Sequence, residues 1–414
     1  MRRQELEVTE SSLSERLRSY REKQGISQEI LAGWLGVSRS TLAQYESGEK
    51  SPGISVLENM AYRLGCDVES MLFNPGGIDP TIVLLRADPG LQENEEAQAC
   101  IRRCVRIGKE VSRLEEILGV PRAADSLPGY RIQPPSSRID AVRQGERAAA
   151  HERQRLGLGS SSIGNVISVL EDSGICASIV PLSNEISGVS IMEGGGFHVF
   201  VNLNHPSTRR RFSLAHEYAH VLLDLQKDSK VVVSCSSDAP TLREVRANAF
   251  AAAFLAPEEG CLSFIHSAGK GRPSRVEYST FNGDDAVEAN ERNKTVEQSI
   301  QVYDVLLLAA HFGISPEAAA YRLSNIHLLS EKDRDSFING LKSGAHRGLS
   351  ALFQTPSLCE GGEGSNLRDR LLGLALEAYR RGSITTGRLI EIAALADMDR
   401  EHVEEALSGF DPIG

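Results

Sequence analysis

Apolar residues recur at intervals of three and four along most of this 414-residue chain, which is the spacing of helices with one buried face. Over residues 13–72 the spacing predicts five short helices, with Ser27 and Ser38 as the N-caps of the second and third. Further helices are predicted over residues 92–119, 139–156, 163–174, 212–223, 241–256, 296–312, 315–323, 367–381 and 386–407, with a turn at Gly313 between two of them.

A different pattern, of continuous or alternating apolar residues, occupies residues 175–203. It predicts three strands, Ile175–Leu182, Gly188–Met192 and Phe197–Leu203, and a glycine turn joins the last two. The predicted fold class is therefore α+β and mostly helical. It comprises a five-helix N-terminal domain, a core that combines helices with a small sheet, and a helical C-terminal region.

Stretches rich in glycine, proline, serine or charge suggest where domains begin and end. The helical pattern over residues 92–119 carries an apolar stripe of Cys100, Ile101, Cys104, Val111, Leu114 and Leu118. Cys100 and Cys104 stand at i and i+4, which suits a metal or a redox pair, but we favour a core or an interhelix seam with a role in dimerisation. The predicted divisions are an N-terminal domain at 1–76, a helical connector at 77–138, a central core at 139–267, a polar insertion (disordered or a lid) at 268–295, a helical extension of the core at 296–342, a linker at 343–366 and a C-terminal helical unit at 367–414.

Composition narrows the class of protein. Lys and Arg number 45 against 56 Asp and Glu, for a net charge of −11, which argues against nucleic-acid binding over the whole surface but leaves room for one local site. The seven cysteines form no CxxC pair or disulfide framework, so we expect reduced thiols and a cytoplasmic protein. We expect no signal peptide and no membrane contact, because no run of about eighteen apolar residues occurs.

The strongest chemical signal is a His-Glu-x-x-His motif formed by His216, Glu217 and His220. On a helix, positions i and i+4 share a face, so both imidazoles reach one metal ion, while Glu217 lies about 100° round and holds a water instead. The motif alone leaves a second interpretation open, namely a core helix whose two histidines are satisfied by hydrogen bonds. Glu244 favours the metal site, because it begins another predicted helix 24 residues after His220 and allows that helix to return antiparallel to the first.

These residues belong to longer motifs that closely resemble the ImmA/IrrE family of zinc metallopeptidases. The motifs are Arg209-Arg210-Arg211-Phe212-Ser213-Leu214-Ala215-His216-Glu217-Tyr218-Ala219-His220, then Glu244-x-x-Ala247-Asn248-x-Phe250-Ala251, then Pro257, with Gly188 and the strand at 197–202 before them. The resemblance covers roughly residues 140–265 and implies a zincin-like peptidase core with a small antiparallel sheet. It implies one Zn²⁺ per chain on His216, His220 and Glu244, with Glu217 as the catalytic base. Members of this family cleave specific repressors or antitoxin-like regulators.

The strand that precedes the metal helix is a candidate for substrate binding. An extended peptide pairs with an exposed strand through backbone hydrogen bonds, so we expect Phe197, Val199 and Val201 to mark the substrate-binding strand edge. The residue that stabilises the oxyanion is not identifiable from the sequence; His205, His266 and Tyr278 qualify by residue type only.

The N-terminal sixty residues resemble the Xre-type helix-turn-helix domain of phage-repressor-like regulators. The resemblance lies in Ile26-Ser27-Gln28-Glu29-x-Leu31-Ala32-x-x-Leu35-Gly36-Val37-Ser38-x-x-Thr41-Leu42-x-x-Tyr45-Glu46-x-Gly48. In such domains the second helix of the motif enters the major groove. The expected DNA-binding residues are Ser38, Arg39, Ser40, Thr41 and Gln44 at the groove, and Gln28 and Lys50 at the backbone.

Charge weakens this expectation for a single copy. Residues 1–75 contain nine basic and eleven acidic side chains, and phosphate neutralisation supplies most DNA affinity. Binding of a homodimer to a palindromic operator would compensate for the weak DNA affinity of a single copy. The alternative is that the five-helix domain serves protein contacts and does not bind DNA.

Together these patterns predict a cytoplasmic regulator that joins a domain binding double-stranded operator DNA to a zinc-dependent endopeptidase. Its expected substrate is a repressor or antitoxin-type protein encoded nearby, or the chain itself, in stress, mobile-element or defence control. The alternative is a repressor or antitoxin of a toxin–antitoxin module, in which the peptidase fold serves as a scaffold that binds a toxin.

Overall fold

The chain divides into two units, Met1–Arg102 and Arg103–Gly414. The computed structural model describes residues 13–23, 26–64, 68–73, 94–120, 127–128, 130, 132–193, 196–225, 231–235, 241–271, 274–279, 288–292, 298–345, 348–349 and 365–408. No helix within these ranges is long and apolar enough to cross a membrane.

The first unit contains five short helices, as the spacing of apolar residues predicts: α1 (Leu13–Lys23), α2 (Gln28–Leu35), α3 (Arg39–Ser47), α4 (Ile54–Leu64) and α5 (Val68–Phe73). The predicted N-caps are confirmed, because the Ser27 and Ser38 hydroxyls accept hydrogen bonds from the backbone N–H groups of Ile30 and Thr41. Gly36 ends α2 with φ of 66°, in the left-handed region where glycine carries no steric penalty.

A buried ion pair ties this unit together around its apolar core. The Arg21 guanidinium on α1 donates to both carboxylate oxygens of Glu46 on α3, at 2.6 and 2.9 Å. Arg21 also donates to the backbone oxygen of Ile26, at 3.0 Å, so hydrogen bonds to Glu46 and Ile26 compensate for the burial of its charge. The core itself is formed by apolar side chains of all five helices, including Leu17, Leu31, Leu42, Met60 and Met71.

The second unit is built on a four-stranded sheet of β1 (Ile175–Val180), β2 (Ile186–Glu193), β3 (Gly196–Asn202) and β4 (Val231–Cys235), in the order β1-β3-β2-β4. Strand β2 pairs antiparallel with β3 and β4, whereas β1 pairs parallel with β3. The α+β, mostly helical class is confirmed. The sheet, however, is mixed instead of wholly antiparallel, because β3 lies between β1 and β2 and runs parallel to β1.

Helices cover one face of this sheet and build the site. Helix α6 (Glu95–Leu118) lies on the other face, whereas the helices that build the site are α7 (Arg138–Arg155), α8 (Val166–Asp172), α9 (Ser207–Leu223), α10 (Leu242–Leu255) and α11 (Glu258–Ser267), of which α9 lies on β2 and β3. Helix α10 packs against α7 and α9, and the Tyr218 ring on α9 makes edge contacts with Phe250 and Phe254 of α10. These rings belong to one apolar core with Val199 and Val201 of β3.

The opposite face of the sheet is covered by α6. A Cβ on Gly108 of α6 would lie 3.2 Å from the His198 ring of β3, and the Ser112 hydroxyl lies 2.9 Å from His198 Nε2. Four residues of the predicted stripe are buried within the chain, Ile101, Cys104, Val111 and Leu114, whereas Cys100 and Leu118 are half-buried. The role of the stripe in dimerisation stays a prediction.

Of the C-terminal helices α15 (Ser365–Arg380), α16 (Thr386–Leu395) and α17 (Arg400–Ser408), α15 lies against β1 and α16 packs between α15 and α17. Arg370 pairs with Glu115 and Arg388 pairs with Glu110, each at 2.6 Å. The helix predicted over residues 386–407 is two helices, because the chain turns at Asp397, whose φ is 57°.

Between the core and these helices, the chain forms α12 (Val302–Phe312), α13 (Pro316–Asn325) and α14 (Glu331–Lys342). The predicted helical pair around Gly313 is present, with Ser315 as the N-cap of α13. For the polar insertion expected at 268–295 to be disordered or a lid, the disordered alternative is wrong at β5 (Ser274–Ser279) and β6 (Glu288–Arg292), which pair antiparallel.

Candidate metal centre

Helices α9 and α10 bring the three predicted metal ligands together. Glu244 Oε2 lies 3.1 Å from His216 Nε2, and Glu244 Oε1 lies 3.2 Å from His220 Nε2. The two Nε2 atoms are 3.1 Å apart. Among the described residues these three alone form a cluster able to hold a metal ion. Since His216 also contacts Asn248 and His220 contacts Glu244, the two helices run antiparallel, as the spacing of the motifs predicts.

Hydrogen bonds on the far side of each imidazole prepare the Nε2 atoms for a cation. His216 Nδ1 donates to the Asn248 side-chain oxygen at 3.0 Å, and His220 Nδ1 donates to an Asp224 carboxylate oxygen at 2.9 Å. With the proton on Nδ1, each neutral ring presents a lone pair at Nε2. Two lone pairs and a carboxylate that face one another at about 3 Å require a positive charge between them, so the donor set fits a metal ion.

The electrostatics of the cluster agree with this conclusion. Burial raises the pKa of the Glu244 carboxyl, but hydrogen bonds from His216 and His220 lower this pKa by more than burial raises it. The pKa of Glu244 is therefore well below its usual range. Burial likewise lowers the pKa of His220, yet hydrogen bonds to Asp224 and Glu244 prevail and raise it to about 10. Both shifts have the direction that favours a positive charge among these groups, whether a proton or a metal ion.

Glu217 is fully buried beside these ligands and does not belong to the cluster. Its Oε2 accepts a hydrogen bond from the Ser190 hydroxyl of β2 at 2.5 Å. Its Oε1 is buried without a hydrogen-bond partner in the described part of the chain. A Cβ on Gly188 would overlap Oε1 and lie 2.7 Å from Glu217 Cγ, so only glycine leaves room for this carboxylate.

A buried polar network, which includes Tyr218 two residues after His216, holds α9 in place. Tyr218 donates from its hydroxyl to Glu152 Oε2 at 2.7 Å, and Tyr130 donates to Glu152 Oε1 at 2.6 Å. Arg155 pairs with the same carboxylate at 2.8 Å. The fully buried charge of Glu152 is thereby satisfied, and α9 is fixed to α7.

Family comparisons match two regions of the chain. Residues 186–272 match the family model described as the IrrE N-terminal-like domain, Peptidase_M78, and residues 12–71 match a helix-turn-helix domain model. The chain joins a helix-turn-helix domain to an IrrE N-terminal-like domain. The sequence-based recognition of both domains is thus confirmed.

Other comparisons add little. No curated protein matches the chain. An alignment with the crystal structure of ComR from Streptococcus suis covers 95% of this chain and 95% of the ComR chain, at 12% sequence identity and a TM-score of 0.14. That score is too low to indicate a common fold.

The predicted substrate strand of the IrrE-like domain is not at an edge. Strand β3 lies between β1 and β2, so both of its hydrogen-bonding edges are occupied. Phe197, Val199 and Val201 are 3%, 0% and 0% exposed and pack in the core. The assignment of these residues to a substrate-binding edge is therefore wrong. Along the described part of the chain, β4 ends the sheet on the side of β2, the strand that contacts Glu217.

Four residues around the metal ligands were not assigned roles from the sequence: Ser190, Asp224, Arg246 and Asn248. Helical spacing contained a signal for two of them, because Asp224 is four residues after His220 and Asn248 is four residues after Glu244. Ser190 on strand β2 contacts Glu217 on helix α9, and local spacing gives no signal for a contact between separate elements.

The helix-turn-helix domain presents most of its predicted DNA-binding residues to solvent. Ser38, Arg39, Ser40, Gln44 and Lys50 are exposed and Thr41 is half-buried at the start of α3. Ser38 caps the helix and contacts the hydroxyls of Ser40 and Thr41, each at 2.8 Å.

Gln28 differs from these residues, since its amide donates to the buried Glu46 at 2.8 Å. It also lines a groove of about 460 Å³ together with three arginines, Arg18, Arg21 and Arg39. Arg18 was not predicted as a DNA contact. Its side chain pairs with Glu22 at 2.8 Å within the same helix, and both side chains are exposed.

Proposed function

We propose that this protein is a DNA-binding transcription regulator whose IrrE-like domain, predicted at residues 139–267, is a zinc-dependent endopeptidase. The observation that carries the proposal is Glu217, fully buried next to the metal-ligand cluster with one carboxylate oxygen unpartnered. A buried, unpaired carboxylate oxygen costs free energy, and its presence beside a metal site is typical of a group that handles protons.

Zinc suits the site as the metal. A tetrahedral zinc ion binds imidazole nitrogen at about 2.0–2.1 Å, which separates its ligand atoms by about 3.3 Å. The separations among His216, His220 and Glu244, at 3.1 to 3.2 Å, lie close to that value. A zinc ion held there supplies Lewis-acid polarisation of a scissile carbonyl and of a water molecule.

The protein's own residues provide the proton transfer. Ser190 holds Oε2 of Glu217, so Oε1 is left to accept the proton of the attacking water and to pass it to the leaving amine. Gly188 leaves the space that this oxygen occupies. An extended substrate is proposed to pair with the outer edge of β4, next to the strand that positions Glu217.

The substrate class follows from the fusion of the two domains. A peptidase attached to a helix-turn-helix domain is positioned to act on a protein that works at the same DNA, such as a repressor or antitoxin-type regulator encoded nearby. The predicted domain at residues 1–76 is proposed to bind double-stranded operator DNA. Because that segment is not basic, we propose binding as a homodimer to a palindromic site.

The decisive experiment is Glu217→Gln, with Glu258→Gln on the exposed start of α11 as the matched control. Purified protein is tested for zinc content, for binding to DNA selected from a random double-stranded pool, and for cleavage of proteins encoded by neighbouring genes. We expect Glu217→Gln to retain zinc and DNA binding and to lose cleavage, because Glu217 is not a ligand. If this variant regulates its genes normally in cells, hydrolysis is not the function and the scaffold hypothesis replaces it.

A further inference from the structure

The two histidine ligands are held by acceptors of different kinds. His216 Nδ1 donates to an amide oxygen of Asn248, which is an exposed residue, whereas His220 Nδ1 donates to the carboxylate of Asp224, which is only 6% exposed. Water can replace an exposed acceptor at modest cost, but nothing replaces a buried one. His220 is therefore the ligand whose orientation depends on the protein.

Asp224 is itself fixed by a second buried charge. Arg246 Nη2 donates to Asp224 Oδ1 at 2.6 Å, on the carboxylate oxygen that His220 does not use. Arg246 is 3% exposed, and its other terminal nitrogen donates to the Gln144 side chain of α7 at 3.3 Å. Each carboxylate oxygen of Asp224 thus accepts one hydrogen bond, Arg243 Nε adds a longer ion-pair contact to Oδ1 at 3.8 Å, and the carboxylate has little freedom to rotate.

From this geometry we infer that Asp224 is the positioning residue for the metal site. It holds His220 with the proton on Nδ1 and the Nε2 lone pair towards Glu244, and Arg246 locks it in place. The inference rests on the proposed zinc site. A carboxylate that accepts from a ligating imidazole orients the ring and increases its basicity as a ligand. Arg246 and Glu244 both belong to α10. This helix therefore supplies one proposed ligand, Glu244, and also the guanidinium that fixes Asp224, the carboxylate that orients the ligand His220.

The test compares zinc affinities of the full-length protein, measured by competition with a chelator of known affinity at one pH. Asp224→Leu removes the acceptor, and we expect affinity to fall on the order of 10- to 100-fold. Asp224→Asn keeps an acceptor oxygen and nearly the same shape, so its loss should be smaller. Asn248→Leu removes the exposed acceptor of His216 and serves as the matched comparison; it should lose less than Asp224→Leu.

A spectroscopic readout separates positioning from a structural role. In the zinc-loaded wild type, the His220 Nδ1 proton should give a slowly exchanging NMR signal, which Asp224→Asn retains and Asp224→Leu loses. If Asp224→Leu does not fold, Asp224→Asn alone still tests the inference through its reduced affinity.

Three results would overturn the inference: wild-type affinity in both Asp224 variants, equal losses in both with an unchanged Nδ1 signal, or a wild-type protein that binds no zinc. Zinc binding with the expected order of affinities but without any hydrolysis supports the role of Asp224 and refutes only the peptidase proposal.

Discussion

Replacement of Gly188 by alanine tests the placement of Glu217, the proposed catalytic carboxylate, most directly. The new methyl carbon would lie 2.7 Å from Glu217 Cγ and 2.8 Å from Cδ, and closer still to Oε1. Nonbonded carbon atoms prefer about 3.5–4.0 Å, so Glu217 must move by roughly 1 Å. Strand β2 cannot retreat freely, because it is paired with β3 and β4 on both sides.

The magnitude follows from this displacement. A misplacement of about 1 Å at a reacting group costs about 100-fold in rate, and general-base catalysis as a whole contributes roughly 10²–10⁴-fold. We therefore expect kcat/KM of Gly188→Ala to fall by about 100-fold or more. Overpacking should lower the free energy of unfolding by about 1–3 kcal/mol. Zinc affinity should stay unchanged, because neither Gly188 nor Glu217 is a ligand.

The assay measures kcat/KM on a protein substrate identified by the Glu217→Gln comparison, with zinc content determined on the same samples. Gly164→Ala is the matched control, since a Cβ there meets nothing within 4 Å and its backbone conformation is ordinary. Wild-type turnover in Gly188→Ala would refute the reasoning, because it would show that Glu217 tolerates displacement. Loss of zinc together with turnover would show that the clash reaches the ligands.

Three further perturbations test other parts of the molecule. Arg39→Ala should weaken binding to the selected DNA by about 1–3 kcal/mol, measured by titration at fixed salt. Burial and Arg370 lower the pKa of His198 from 6.5 to about 3, so the folded protein resists a proton that the unfolded chain accepts. As pH falls through that window, the free energy of unfolding should decrease by up to about 1.4 kcal/mol per pH unit more in wild type than in His198→Gln, measured by denaturant titration. Arg211→Met should reduce the free energy of unfolding by about 3 kcal/mol or more in the same assay, because Arg211 donates to three backbone carbonyls.

The helices and the metal ligands could be predicted because their signals are local. Ser27 and Ser38 cap the helices that the pattern places after them, and His216 and His220 share a face because α9 is helical. Glu244 was recognisable since it begins the next amphipathic helix and its motif matches that of the family. These inferences need only the geometry of one helix and a short connection.

The contacts that were missed depend on how separate elements meet. Alternation along β3 indicates a strand but not its neighbours, so its interior position in the sheet could not be deduced from residues 196–202. Arg211 stands in a run of three arginines that resembles a solvated helix start, yet it is 2% exposed because the carbonyls of Ile163, Gly164 and Gly313 converge on it. Ser190 likewise meets Glu217 only once β2 packs on α9.

The contact of α15 with β1 has a consequence for biosynthesis. Helix α15 rests on β1, although about two hundred residues separate them along the chain. A ribosome therefore releases His216, His220 and Glu244 well before it releases the helix that packs on β1. During that interval the nascent chain lacks the helix that covers this part of β1, so a molecule truncated ahead of residue 365 should depend on chaperones and be degraded quickly.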